Sequence, residues 1–362
     1  MTRQPNPSKA PTLTSIARSL GLSPATVSNV YNHPERVSKS VSERVLAVAD
    51  AVGYAGPDPV ARQFRRGKSE TIGVVFTDEM SFALRDPASV SLLAGLSTAL
   101  QDAQLNLLLL PAGPPLGSSR VSNVMGAVVD GFVFYSVPDD DPHLAAALKR
   151  RLPIVVVDEP EVVGHADWLG LDDHSAAADL GRYLSRLGHR KVGVITSRLG
   201  RTRHNGPADE EMWKNAVYSV QRNRIHGLRE GLFGADAGSI AVEERFENSV
   251  DAGVTALHTL LHRDPGITAV CCFGDVLAIG ALEGARQRGL SVPGDLTVTG
   301  FDDVPEAARA GLTTVRQPLF EKGRIAGEML LSHPFSDRPR RRYLPTSLEV
   351  RSTSDRPNRN SV

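Results

Sequence analysis

The chain has 362 residues with 41 basic and 41 acidic side chains, so length predicts two to three domains and the balance excludes a uniformly basic nucleic-acid coat or a polyacid. The balance is uneven: residues 1–70 carry 10 basic and 5 acidic groups, 71–330 carry 24 and 33, and 331–362 carry 7 and 3. Hydrophobic residues at 41% exclude disorder over most of the length, and the adjacent Cys271 and Cys272 in an apolar stretch exclude a disulfide framework or a metal site, leaving buried free thiols.

Residues 1–11 are polar and rich in Pro and Ser, which predicts a disordered arm without the apolar core of an export signal. The longest apolar run, near Leu105–Leu110, is too short to span a bilayer, so a cytoplasmic setting with no membrane role is expected. From Thr12 to about Gly53 the pattern is helical, with breaks at Gly21-Leu22-Ser23 and around Asn32-His33-Pro34. Thr12 is placed to cap a first helix with Leu13, Ile16, Ala17 and Leu20 on its apolar face. Ser23 caps a second, with Pro24 in its first turn where the missing amide hydrogen is harmless. Val41, Val45, Leu46, Val48 and Ala49 supply the apolar face of a third. A helix, a Gly-containing turn and a second helix opening on small residues is the arrangement that braces one helix on a DNA backbone while the next enters the major groove. On spacing alone a plain helical hairpin is about as good a reading; the positive charge of this block favours DNA.

Residues 57–70 form a linker with helical potential that holds Arg62, Arg65, Arg66 and Lys68. Beyond it, apolar runs at Thr71–Phe76, Leu107–Leu110, Gly131–Phe134, Ile154–Val157, Val192–Ile195, Ala269–Phe273 and Leu296–Phe301 alternate with Ala- and Leu-rich helical stretches. Such runs are buried on both faces, which predicts parallel sheets in a doubly wound α/β body. The region is longer than one such sheet usually takes, so two similar subdomains are expected. Residues 351–362 are polar and read as a frayed tail.

The segment from Thr12 through Leu22-Ser23, Ala25-Thr26-Val27-Ser28, Asn32, Gly53-Tyr54 and Val60-Ala61-Arg62 resembles the amino-terminal region of the lactose-repressor/galactose-repressor (LacI) family of bacterial transcription regulators. The resemblance continues through Leu187-Gly188-His189, Gly274-Asp275, Thr299-Gly300-Phe301-Asp302-Asp303 and Leu312-Thr313-Thr314-Val315, to about residue 350. It implies a small all-α helix-turn-helix head over 12–56, a hinge helix and linker over 57–70, and a body over 71–350 of two doubly wound parallel-sheet subdomains resembling periplasmic binding proteins. It further implies a homodimer on a pseudo-palindromic operator, controlled allosterically by a small molecule held between the subdomains.

Carried over position by position, the resemblance makes Pro24–Tyr31 the recognition helix and puts base-reading positions at Pro24, Ala25 and Asn29. Pro24 and Ala25 suit contact with thymine methyls, and Asn29 can pair with a base edge. Thr12, Ser23, Thr26, Ser28 and Asn32 fall on positions that seat the helix on phosphates. In the hinge, Arg62 belongs to the DNA-facing linker, and Phe64 falls where the family places a leucine wedge in the central base step; packing against the body is the alternative. Here the linker has one extra residue between Tyr54 and Ala61.

In the body the effector positions fall on Asp158, Arg224 and Asp275, with Asp172 as a secondary candidate; guanidinium and carboxylates together can hold vicinal hydroxyls. For any one of them a helix cap or a solvated loop end is the alternative. The stretch 198–220 is longer and more charged than usual and is a candidate lid or pocket wall. The segment Ser81–Ala88, with Phe82, Arg85 and Asp86, lacks the usual pattern. Trp168 and Trp213 are either sugar-stacking or core. Arg340, Arg341 and Arg342 read as a solvated loop or a DNA contact.

No nucleophile elbow, phosphate loop or metal-ligand spacing points to an enzyme, and no cofactor is expected. Release of repression by the ligand is the expected sign. Corepression is the alternative, and a solute-binding protein without a DNA role a weaker one.

Overall fold

The computed structural model describes residues 11–57, 67–76, 80–112, 121–161, 164–234, 238–332 and 338–358. The arm expected over 1–11, save its last residue, and the hinge positions Arg62 and Phe64 lie outside the described residues. The chain divides into two compact units, Met1–Ser69 and Glu70–Val362.

The first unit consists of α1 (Leu13–Leu20), α2 (Pro24–Asn32), a 3-10 turn over Pro34–Arg36 and α3 (Lys39–Ala51). Thr12 caps α1 reciprocally: its Oγ1 accepts from the Ser15 amide at 3.2 Å, and its own amide donates to Ser15 Oγ at 2.9 Å. Gly21 ends α1 in the left-handed conformation (φ 65°) that glycine adopts without a Cβ penalty, and this sets the tight turn into α2. Ile16, Ala17, Val27, Val30, Val45 and Ala49 form the core of the unit. Leu46, expected on the apolar face of α3, is 48% exposed instead; it neighbours Val45 along the helix, and the core-facing stripe is too narrow to include both.

The second unit begins with β1 (Thr71–Phe76), α4 (Pro87–Asp102), β2 (Asn106–Pro111), β3 (Gly131–Tyr135), β4 (Ile154–Val157) and β5 (Asp167–Gly170). It continues through α5 (Asp173–Leu187), β6 (Val192–Thr196), β7 (Asn205–Ala208), α6 (Ser219–Phe233), β8 (Ala241–Arg245), α7 (Val250–Arg263), β9 (Ala269–Cys272) and α8 (Asp275–Gln287). It closes with β10 (Thr297–Asp302), β11 (Thr313–Arg316), α9 (Leu319–Leu331), β12 (Arg341–Tyr343) and β13 (Ser347–Glu349), with short helical turns between several of these.

The strands form two sheets, ordered β12-β5-β4-β3-β1-β2 and β13-β11-β10-β9-β6-β8-β7. Every described pair is parallel except β7 with β8 and β11 with β13, so the expected pair of doubly wound lobes is present, the second finished by an antiparallel strand on each edge. Central strands such as β3, β4 and β9 are buried on both faces, as continuous apolar runs require. Helices α4 and α9 pack together on the first sheet, and α5 with α6 and α7 with α8 on the second. Gly323 makes the first of these pairings possible, since a Cβ there would sit 1.9 Å from the Leu92 carbonyl oxygen.

Among the described residues the chain passes between lobes after β5, between β11 and α9, and between β12 and β13. The basic run expected to be a solvated loop is mostly the edge strand β12, parallel to β5, with Arg340 donating twice to Asp167 Oδ2, at 2.6 and 3.0 Å. Trp168 and Trp213 are both core residues. The first residues of the supposed frayed tail are packed: Thr353 is buried and bridges β10 and β11, donating to Val298 O at 2.7 Å and accepting from the Thr313 amide at 2.9 Å. Cys271 and Cys272 are buried free thiols, and burial pushes Cys271 up to about 12.

Candidate functional site

In the head, Val27 and Val30 anchor α2 in the core and leave its first turn outward, with Pro24 and Ala25 exposed and Thr26, Ser28 and Asn29 half-buried. Ser23 caps the helix, its Oγ accepting from the Thr26 amide at 3.0 Å and lying 2.8 Å from Thr26 Oγ1. Asn32 Nδ2 donates to the Ser28 carbonyl at 3.0 Å and to Ser28 Oγ at 3.1 Å. Neither α1 nor α2 has an acidic residue in its first turn, so the positive end of each helix dipole is uncompensated, which suits an anionic backbone.

In the body, a cavity of about 370 Å³ opens between the lobes at the carboxyl ends of the strands, where such sheets present ligand sites. Tyr135 ends β3, and Ser136 and Asp158 follow β3 and β4, on one side; Ser197, Phe246, Gly274 and Asp302 follow or end β6, β8, β9 and β10 on the other. Phe82, Arg85 and Asp86 close one wall, and the charged stretch after β6 supplies Arg198 and Arg203 to another, so that stretch is a pocket wall. A larger opening in the second lobe, about 880 Å³ near the carboxyl ends of α5 and α6, has no buried polar or charged side chain among the described residues that line it.

The cleft's charged groups are largely held by one another. Arg224 is buried, donates from Nε to Asp173 at 2.7 Å and from Nη1 to the Phe273 carbonyl at 3.3 Å, and stacks on Phe301. Burial alone would lower its pKa, but Asp173, Asp302 and Asp158 more than offset this and raise it. Asp302 is pushed well up, first by burial and then by the charge of Asp275. Asp86 caps α4 through the Ser89 amide at 2.9 Å and is also raised by burial. The Tyr135 phenol is raised by burial and by Asp158, Asp86 and Asp302 around it. Asn248 Oδ1 is a buried acceptor without a hydrogen-bond partner among the described residues, and its Nδ2 reaches Asp86 across the cleft at 3.4 Å.

Of the four effector positions expected from the sequence, Asp158 and Arg224 line this cavity together. Asp275 does not: its carboxylate is fully buried behind Gly274, accepting from Thr314 Oγ1 at 2.6 Å and the Val304 amide at 2.9 Å. Asp172 does not either; it is an exposed cap accepting from the Ser175 amide at 2.9 Å, while its neighbour Asp173 holds Arg224. Asp302, Asn248 and Tyr135 were missed, although Asp302 stands at the end of an apolar run.

A second group missed from the sequence is Glu159. Its buried carboxylate belongs to the first lobe and accepts from Ser136 Oγ at 2.7 Å and, across the cleft, from the Val220 amide at 2.8 Å and Ser219 Oγ at 3.2 Å at the start of α6. Burial raises its pKa to about 7. Beside it Asp139 pairs with Arg222 at 3.2 Å and Asp140 with Arg201 at 2.8 Å, so one rim of the cleft is laced between the lobes.

Residues 12–56 match the family described as bacterial regulatory proteins, lacI family, and residues 182–354 match the periplasmic binding protein-like domain. An HTH-type transcriptional regulator of Mycobacterium tuberculosis is 43% identical over 95% of this chain and 97% of its own length. The crystal structure of a LacI-family transcriptional regulator from Corynebacterium glutamicum is similar at a TM-score of 0.73 with 36% identity, covering 96% of this chain and 99% of its own. The complex of the transcriptional regulator CelR with cellobiose is similar at a TM-score of 0.67 with 25% identity, covering 95% and 100%.

Proposed function

The chain belongs to the lacI family of bacterial regulatory proteins, which are DNA-binding transcriptional regulators, and on that premise we propose that it is an operator-binding repressor released by a polyhydroxylated small molecule in the interlobe cleft. The observation that carries this is the pairing on one chain of a capped, outward-facing α2 with a cleft in which Asp158, Asp302 and Arg224 converge from two lobes. Acceptor carboxylates beside a guanidinium and the Phe82 and Phe246 rings suit a ligand with hydroxyls on its edges and C–H faces between them, and CelR was solved with cellobiose.

In this reading Pro24, Ala25 and Asn29 face base edges, while Thr12, Ser23, Thr26, Ser28 and Asn32 seat the helix on phosphates. Residues 12–56 are the head, 57–70 the hinge and 71–350 the body, a division supported by the compact units meeting after Ser69. Arg62 and Phe64 act from the hinge of a homodimer on a pseudo-palindrome; Phe64→Ala leaving operator affinity and DNA bending unchanged removes the wedge. The setting is cytoplasmic and nucleoid-associated, in keeping with the lack of any helix among the described residues long and apolar enough to cross a membrane. No turnover is assigned, as the relatives are regulators.

A genome-wide footprint of the purified protein at several salt concentrations tests the function. A palindromic site with genes of polyol or sugar metabolism beside it supports the proposal; a salt slope with no preferred sequence overturns it.

A further inference from the structure

The floor of the cleft hides a lysine that never reaches it. Lys322 lies on α9 among Leu319, Ile325, Ala326, Met329 and Leu330, and its side chain is 0% exposed. An ammonium group in such a place is costly unless it is paired and hydrogen-bonded. Its Nζ donates to Asp158 Oδ1 at 2.7 Å and to Gln317 Oε1. Gln317 in turn donates from Nε2 to Asp302 Oδ1 at 2.5 Å, and from its amide to the Asp302 carbonyl at 3.3 Å.

These links join two carboxylates that share the cleft but belong to different lobes. Asp158 follows β4 in the first and Asp302 ends β10 in the second. Gln317 stands where the chain passes from β11 to α9, between the lobes. Both aspartates have positive φ, 69° and 127°, a conformation that a non-glycine residue keeps only when its surroundings hold it.

We propose that Lys322 and Gln317 are positioning residues that lock the two cleft aspartates to each other across the lobe passage, so that a ligand engaging either carboxylate acts directly on the angle between the lobes. The inference rests on the cleft being the effector site, and it names the device that reports occupancy. Neither the amine nor its partners need change charge: a ligand hydroxyl that draws Asp158 or Asp302 away from the Lys322–Gln317 bridge shifts the balance between two lobe arrangements by its differential affinity for them.

The test measures the interlobe distance in the full-length protein without ligand, by electron–electron resonance between spin labels on Val128→Cys in the first lobe and Gln287→Cys in the second, diluted with unlabelled chain. The parent is expected to give one narrow distance. Gln317→Leu, which leaves the Lys322–Asp158 pair intact, is expected to lose that single distance while the protein still unfolds cooperatively. Lys322→Met is expected to lose it as well, and Lys322→Arg to recover it. Parent-like distances in Gln317→Leu overturn the proposal even if Lys322→Met fails to fold, because a merely structural lysine would leave the lobe angle indifferent to Gln317. Loss of the narrow distance in a protein that shows no sequence-preferring DNA binding would instead count against the regulator reading and leave the bridge standing.

Discussion

Arg224 holds its guanidinium carbon 3.6 Å from the centroid of the Phe301 ring while its Nε donates to Asp173 at 2.7 Å. The ring and the carboxylate together fix a buried cation that Asp302 and Asp158 also attract. Arg224→Ala leaves Asp173 buried without its counter-ion, and removing one partner of such a pair costs about 3–5 kcal/mol. Urea denaturation should show this loss, and the double variant Arg224→Ala with Asp173→Ala should recover part of it. Arg224→Lys should stay destabilised, because an ammonium group lacks the planar face that lies on the Phe301 ring while Nε and Nη1 donate to Asp173 and the Phe273 carbonyl. A parent-like midpoint for Arg224→Ala would mean the pair contributes nothing.

The buried carboxylates make stability depend on pH in one direction. Glu159 and Asp275 both stand at about 7, raised by burial from 4.5 and 3.8, and Asp302, Asp86 and Asp173 shift the same way. In that window the folded chain keeps protons that the unfolded chain has released. Stability is therefore highest near the lower pKa and falls as pH rises to about 7, by about 1.4 kcal/mol per group per pH unit. Thermal midpoints between pH 5 and 8 should decline and then level. Glu159→Gln, which can still accept from Val220, should flatten part of the slope and equal or exceed the parent at pH 8; a less stable variant there would show that the charged form is favoured at the rim.

Two aspartates near the ends of apolar runs mark how far the sequence could be read: Asp275 opens α8 shortly after β9, and Asp302 is the last residue of β10. Their opposite fates depend on partners from elsewhere: Thr314 and the Val304 amide capture Asp275, and Gln317 turns Asp302 to the cleft. Strands buried as pure apolar runs were legible from periodicity, as were the caps at Thr12 and Ser23. β8 was not, because Glu243, Glu244 and Arg245 face inward: Glu243 holds Arg245 and Arg263, each at 2.8 Å, and Glu244 accepts from His204 at 2.8 Å. A pattern of hydrophobicity counts those residues as surface. Lys322 was invisible for the same reason, since its partner Asp158 lies 164 residues away in sequence.

In the head, base reading and phosphate seating should separate by salt and sequence. Asn29→Ala is expected to relax preference at one operator position, costing about 1–3 kcal/mol on the best site and little on others. Ser28→Ala should weaken all sites alike; it removes one of the two bonds that hold the Asn32 amide and leaves the one to the main-chain carbonyl. Ser23→Ala removes the α2 cap and should cost the head about 1 kcal/mol. Binding isotherms on a consensus site and its single-base variants check the first two, and thermal unfolding of the head the third. Equal losses for Asn29→Ala at every site would move that residue to the backbone.

Gly227 fixes how closely α6 lies on α5. A Cβ at this position would come 2.0 Å from the His174 carbonyl oxygen, and that atom is backbone near the start of α5, so no side chain can swing away to make room. Gly227→Ala must push the two helices apart, and overpacking of a close-fitted interface costs about 1–3 kcal/mol. One turn earlier on the same helix Arg224 reaches Asp173, also at the start of α5, so the displacement should open that pair as well. The expected result is a lowered urea midpoint together with greater amide exchange over Asp173–Ala177 and Arg224–Leu228, the α3 amides of the head being unaffected. An unchanged midpoint would show that α6 can slide along α5 and that the position of Arg224 is not set by this contact.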